Sequence, residues 1–131
     1  MIGLDTNVLV RYLVQDDPAQ SARANQLMEN ELSEEAPGFV CLVVLAETTW
    51  VLQRLYSATA HEIRETVADL LGTSQIVVEN RDAVTSALVK THDNNCAFAD
   101  ALIAASAEGV GCTTVVSFDR GAVRVGMTLL T

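Results

Sequence analysis

The chain has 131 residues, half of them apolar and only 19% charged, which is enough for one buried core and too apolar for a disordered segment. No apolar run approaches the roughly 18–20 residues that a membrane helix needs. The first residues also lack a basic stretch leading into an apolar signal core, so a cytoplasmic protein with one domain over residues 1–131 is expected. The net charge of −9 sets eight basic residues against seventeen acidic ones, which disfavours a polyanionic partner unless several carboxylates share a cation.

Residues 1–4 read as a short strand that delivers Asp5 to its carboxyl end, and Thr6 onward reads as a helix through the apolar run 8–14. Asp16-Asp17-Pro18 is a helix start: Asp17 suits the cap, Pro18 the first helical position, and Gln20 the partner of a capping box. That second helix, to about Leu32, is weakly amphipathic and peripheral, and the segment 33–38 breaks it. Residues 39–42 form a short apolar strand, followed by a helix over 43–52.

Thr59 and Glu62 make a second capping-box pattern, after which Ile63, Val67, Leu70 and Leu71 fall on one helical face. Gly72 ends this helix, and the β-branched run 75–79 is a strand. Asn80 caps a helix whose buried stripe is Val84, Ala87 and Leu88. A further helix covers 97–108 and closes at Gly109. Residues 113–117 form a strand that stops at Phe118-Asp119, with a turn at Arg120-Gly121 and a last strand near 127–130. Strands separated by helices imply right-handed crossovers, hence a three-layer α/β sandwich with a parallel sheet of about five strands and helices on both faces.

Cys41, Cys96 and Cys112 are odd in number, with no C-x-x-C pair and no adjacent His. This argues against a disulfide framework and a structural zinc site, and the three read as small buried hydrophobes.

Four acids stand where an apolar residue or a plain turn residue would serve. Glu47 interrupts the otherwise uncharged run 42–52, and Asp100 is the one charge in the run 97–105. A helix apolar on nearly all sides is normally buried, and an unpaired buried carboxylate costs several kcal/mol, so it finds a counter-charge, a metal or a proton. Asp5 and Asp119 each close an apolar strand. Separate explanations exist. Asp5 suits a helix cap, Asp119 a turn, Glu47 an ion pair with Arg54 or Arg11, and Asp100 hydrogen bonds from a neighbouring helix. With so few basic residues, one shared cation is the more economical account. Oxygen donors without His or Cys select Mg²⁺ or Mn²⁺ over Zn²⁺, and such ions take phosphate oxygens as further ligands. Metal-dependent phosphodiester hydrolysis follows as the reaction class.

The segment 1–9, Glu47 in its apolar helix, the run 100–105 and Ser117-Phe118-Asp119-Arg120 together resemble a PIN domain. They look most like the VapC-type ribonuclease toxins of prokaryotic toxin–antitoxin modules. The resemblance implies that Asp5, Glu47, Asp100 and Asp119 hold Mg²⁺ or Mn²⁺ at the carboxyl edge of the sheet. Asp5, Asp100 and Asp119 would be direct or water-bridged ligands, and Glu47 a further ligand or the group that orients the attacking water. Thr6, Asn7 and Ser117 match polar positions that support the acids or touch the substrate phosphate. The activity implied is endoribonuclease cleavage that leaves a 5′-phosphate and a 3′-hydroxyl. The partners implied are RNA, a second copy of the chain and a cognate VapB-type antitoxin that fills the acidic groove.

Some members carry another carboxylate shortly before the position of Asp100. Cys96 and Ala97 stand there in this chain, and Asp93 is the nearest acid upstream. The stretch after Asp119 lacks the aromatic common in the family.

Arg11, Arg54, Arg120 and Arg124 are candidates for RNA phosphate contacts, with Arg120 first because it adjoins Asp119; salt bridges are the plain alternative for each. His61 and His92 read as surface residues, and Trp50, Tyr12 and Tyr56 as core or interface packing. Two other classes of function compete. One is a PIN-like module that binds RNA or protein without catalysis. The other is a metal-dependent phosphatase of a different α/β fold, disfavoured because Asp5-Thr6-Asn7 lacks the Asp-x-Asp typical of those related to haloacid dehalogenases.

Overall fold

The computed structural model describes residues 1–92 and 96–131, so Asp93 lies outside the described residues. The chain forms two compact units, one of residues 1–57 and 69–79, the other of residues 58–68 and 80–131. The fold is α/β, with five described strands, all paired in parallel and hydrogen-bonded as a group of three and a group of two.

The first unit holds the three-stranded sheet, with β1 (Ile2–Gly3), β2 (Gly38–Val40) and β3 (Ile76–Val78) in that order. Its register sets Ile2 against Gly38 and Gly38 against Ile76. Gly38 has no room for a side chain, because a Cβ there would come within 2.9 Å of the Leu32 and Leu4 methyls. Parallel neighbours require crossovers, and the helices supply them. Helix α1 (Thr6–Val14) packs on α2 (Pro18–Gln26) and on α3 (Leu42–Tyr56). Leu9, Val40, Leu45 and Met28 are the most deeply buried side chains of this core.

Asp17 caps α2 as its sequence suggests, its Oδ1 accepting from the Gln20 N–H at 3.0 Å. The box does not close, however, because the Gln20 side chain turns away to accept from Arg11 Nε at 2.7 Å. The second helix also changes pitch. From Leu27 to Glu31 it is π-helical, and the Leu32 N–H reaches back five residues to the Leu27 carbonyl at 2.9 Å.

The second unit is built from helix α5 (Arg81–His92), helix α6 (Phe98–Gly109) and the strands β4 (Val116–Ser117) and β5 (Thr128–Leu129). Helix α4 (Ala60–Leu71) belongs to this unit through Ala68, and its last residues to the first. The Thr59–Glu62 box closes in both directions, at 2.9 and 3.1 Å, and Ile63, Val67, Leu70, Val84 and Ala87 are buried as their spacing predicts. Small residues on one face of α6 (Ala101, Ala104, Ala105) are buried, and α6 packs on α5. The turn expected at Arg120-Gly121 is the start of a 3₁₀ helix, Arg120–Val125, which also packs on α6.

The cysteine expectation is corrected, and so is the core half of the core-or-interface expectation for Trp50. The cysteines are not core residues: Cys41 and Cys96 are half-buried and Cys112 is exposed. Trp50 is 52% exposed, with the Arg54 guanidinium 4.7 Å from its ring centre. Arg54 thereby covers part of one ring face by a cation–π contact. Among the described residues, no helix is long and apolar enough to cross a membrane.

Candidate active site

Asp5 sits just past the carboxyl end of β1, at the N-terminus of α1. Its extended backbone lets Oδ1 accept from the Thr6 N–H at 2.8 Å, so the capping role is Asp5's own. Only one carboxylate oxygen is used, and Oδ2 stays outside that bond. Asp5, Thr6, Asn7 and Glu47 line one cavity of about 260 Å³, together with Arg11, Tyr56 and the apolar side chains of Val10, Val51 and Leu55. Glu47 arrives there from the second turn of α3, which begins at Leu42 directly after β2.

Glu47 is exposed, as are Val43 and Trp50 of the same helix, so the apolar run 42–52 does not bury its acid. The buried positions are Leu45, Thr48, Thr49 and Leu52. Desolvation therefore does not explain why an acid stands at this position; its place in the wall of the cavity is what marks it.

The Thr6 hydroxyl is buried, and among the described residues it has no hydrogen-bond partner. An unpartnered buried hydroxyl is uncommon and costs stability.

Arg11 is fixed at the edge of this cavity. Nε donates to Gln20 Oε1 at 2.7 Å, and Nη1 donates to Asp16 Oδ1 at 3.0 Å and to the Tyr56 hydroxyl at 3.4 Å. The Tyr56 hydroxyl in turn donates to Asp16 Oδ2 at 2.7 Å. That bond, first among several effects, pulls the Asp16 carboxyl below its usual range, and the contact with Tyr56 raises the Arg11 guanidinium above its ordinary value. Arg11, one of the two ion-pair partners weighed as an alternative for Glu47, is thus paired with Asp16 instead. Arg54, the other candidate, lies over Trp50.

The second unit brings Asp100 and Asp119 within electrostatic reach of one another. Asp100 lies in the first turn of α6, whose preceding residue Ala97 offers no side-chain cap. Partial burial, and then the charge of Asp119, push the Asp100 carboxyl above its ordinary value. Asp119 follows β4 and caps the 3₁₀ helix, its Oδ1 accepting from the Gly121 N–H at 2.9 Å. The Ser117 hydroxyl accepts from the Asp119 N–H at 3.0 Å and so fixes the backbone that carries the acid. Gly121 crowds the same carboxylate, because a Cβ there would lie 3.3 Å from Asp119 Oδ1.

The acids thus come in two local pairs, Asp5 with Glu47 and Asp100 with Asp119. Among the described residues, no three His, Cys, Asp or Glu side chains are grouped so as to hold a metal ion. The donors of both pairs are oxygens, which suits Mg²⁺ or Mn²⁺ and not Zn²⁺. Arg120 is exposed at the start of the 3₁₀ helix. His61 is a surface residue 2.9 Å from Glu65.

Several positioning residues have no local sequence signal. Glu79, at the end of β3, accepts from the Leu42 N–H at 2.8 Å and satisfies the start of α3, which the Cys41 side chain leaves uncapped. Tyr56 and Asp16 are far apart in sequence and meet only through the packing of α1 on α3.

A family model described as PIN domain matches residues 2–127, nearly the whole chain. No curated protein matches it.

Proposed function

The chain belongs to the PIN-domain family, whose fold is typically that of a metal-dependent nuclease, and from that premise we propose that it is a Mg²⁺- or Mn²⁺-dependent endoribonuclease, the toxin of a type II toxin–antitoxin pair. Residues 1–131 act as one PIN domain, with Asp5, Glu47, Asp100 and Asp119 as its acidic quartet. The observation that carries the reading is the pairing of these acids: Asp5 and Glu47 share a cavity with an amide oxygen, and the Asp100 carboxyl is raised first by burial and then by the charge of Asp119.

Asp5, Asp100 and Asp119 would hold the cation, with Glu47 either completing the set or orienting the attacking water. A bound divalent ion would lower the pKa of water and offset charge on the phosphate oxygens. The protein's own groups do the rest. The caps at Asp5 and Asp119 fix each carboxylate through one oxygen and leave the other available. Asp100 resists ionising beside Asp119, and a shared cation removes that penalty. Thr6, Asn7 and Ser117 support the acids, and Arg11 and Arg120 offer charge to phosphate. Water adds to phosphorus and the bond to O3′ breaks, which gives a 5′-phosphate and a 3′-hydroxyl. A VapB-type antitoxin, a homodimer and a cytoplasmic location complete the proposal.

The test incubates purified protein, free of any antitoxin, with end-labelled cellular RNA in Mg²⁺ and in EDTA. Cleavage that needs the cation and is lost in Asp5→Asn and Asp100→Asn is expected. Equal cleavage by those variants would overturn the site. No cleavage of any RNA would favour a catalytically silent RNA- or protein-binding module.

A further inference from the structure

A second cavity, of about 380 Å³, lies beside α1 and α2 in the first unit. It shares two wall residues with the cavity of Asp5 and Glu47: Asn7 and Arg11, one turn apart on α1, line both. The two differ in charge. The Asp5 cavity carries two carboxylates, whereas the second has no acid in its lining and draws two guanidinium groups, from Arg11 and Arg23. Its remaining walls are Val8, Ala24 and Leu27, with the Gln20 amide among them.

Arg11 reaches the shared wall already ordered. Nε and Nη1 are held by Gln20, Asp16 and Tyr56, while Nη2 donates no hydrogen bond among the described residues. A guanidinium fixed at one end presents its free nitrogen without further loss of side-chain freedom. Arg23 is held differently, with both terminal nitrogens on the Glu31 carboxylate, so Arg11 is the guanidinium that offers a terminal nitrogen to a ligand. The volume is that of a small-ligand site, and the pattern is apolar walls with a few placed polar groups. Amides such as Asn7 and Gln20 pair with base edges, and guanidinium planes both stack on bases and bind phosphate.

We propose that this second cavity is a nucleotide subsite, which seats one unstacked base of single-stranded RNA next to the phosphate held at the Asp5 cavity. Arg11 binds the phosphate between the two sites, and Gln20 and Asn7 read the seated base. The proposal rests on the endoribonuclease reading above for its neighbour, but its own chemistry is binding. It places base preference in α1 and α2, away from the acids.

The experiment has two arms on the full chain. In EDTA, where no cleavage can occur, fluorescence anisotropy measures the affinity of labelled ten-nucleotide homopolymers of A, C, G and U. In Mg²⁺, cut sites are mapped on a random-sequence RNA. The variants are Gln20→Ala, which removes an exposed amide, and Ala24→Leu, which fills the cavity, with their melting temperatures recorded. The wild type is expected to prefer one or two of the homopolymers. Each variant is expected to weaken the preferred one by about fivefold, the worth of one hydrogen bond, and to flatten the base profile at one position beside the cut. Gln20→Ala decides the matter if Ala24→Leu does not fold. Unchanged affinities together with an unchanged cut-site profile would overturn the subsite and leave the cavity to a protein segment. Wild-type protein that cuts nothing in Mg²⁺, yet binds RNA in EDTA with the same sensitivity to Gln20→Ala, would sink the nuclease reading and keep the subsite.

Discussion

Asp5 caps a helix and is proposed as a cation ligand, and replacing it by Asn and by Ala separates the two roles. Its Oδ1 caps α1 through the Thr6 N–H at 2.8 Å, while the proposed metal role needs the charge and the second oxygen. Asp5→Asn keeps an acceptor at Oδ1 and removes the charge. The lost charge–dipole term at an exposed helix N-terminus amounts to a few tenths of a kcal/mol. Asp5→Ala removes the cap as well, for a total of about 1 kcal/mol, or roughly 4 °C in Tm for a chain of this size. The cap bond reaches the first helical N–H instead of the second or third, so a value toward the lower end is expected.

Urea unfolding in EDTA should therefore rank wild type, Asp5→Asn and Asp5→Ala in that order, with about 0.5 kcal/mol or more between the two variants. Magnesium at ten times its Kd should add about 1.4 kcal/mol to the wild type and nothing to either variant. RNA cleavage should fall by at least about a hundredfold in both, since even groups that only support metal ligands are worth 10–100-fold. Equal urea midpoints for Asn and Ala would refute the capping role. Near-wild-type cleavage by Asp5→Asn would refute the metal role.

Asp100 gives a pH signature in the absence of metal. Its folded pKa is raised, first by burial and then by Asp119, above the ordinary 3.8. The folded state therefore holds the proton more tightly. The stability this group contributes is fully present below pH 3.8 and is lost as pH rises through the raised folded value. Asp100→Asn should remove that decline and be more stable than wild type at neutral pH in EDTA; chemical denaturation across pH reads it, and an unchanged profile would contradict the coupling. Gly121→Ala presses a methyl against Asp119 Oδ1 at 3.3 Å. It should lower kcat by about tenfold through displacement of that carboxylate, with a smaller effect on KM in steady-state assays. Gly38→Ala places a Cβ within 2.9 Å of two leucine methyls and should cost about 1–3 kcal/mol by overpacking in urea titrations. Tyr56→Phe cuts the hydroxyl that ties Arg11 to Asp16; it should raise KM for RNA more than it lowers kcat, whereas an equal loss in both would assign Tyr56 to the chemical step.

Local sequence signals were readable where the chain's short-range chemistry decides the structure. The Thr59–Glu62 box, the Asp17 cap, the stripe Ile63–Val67–Leu70 and the strand at Ile76–Val78 all depend on neighbours within a few residues. Gln20 failed as a box partner because Arg11, nine residues away, offers a charged donor in place of a backbone N–H. The π-helical turn after Gln26 and the 3₁₀ helix after Asp119 carry no periodicity long enough to detect.

At the site, the four acids stood out in the sequence, but the physical reason differed for Glu47. It was singled out as a carboxylate in a buried helix, and it lies on that helix's exposed face. The run 42–52 is apolar on a surface that also exposes Val43 and Trp50, so composition alone mimicked burial. Glu79, Asp16 and Tyr56 were silent because each acts through a contact between distant elements. Asp5 and Asp119 both act as the caps of the plain reading, each through one oxygen, which leaves the other open to the proposed role.

The central claim is that both acid pairs serve one cation. Mn²⁺ titration followed by electron paramagnetic resonance tests it directly, on wild type and on one variant from each pair, Glu47→Gln and Asp119→Asn. The account predicts tight binding by the wild type that weakens by about tenfold or more in both variants. Wild-type Mn²⁺ affinity in either variant, with the fold intact by circular dichroism, would contradict it.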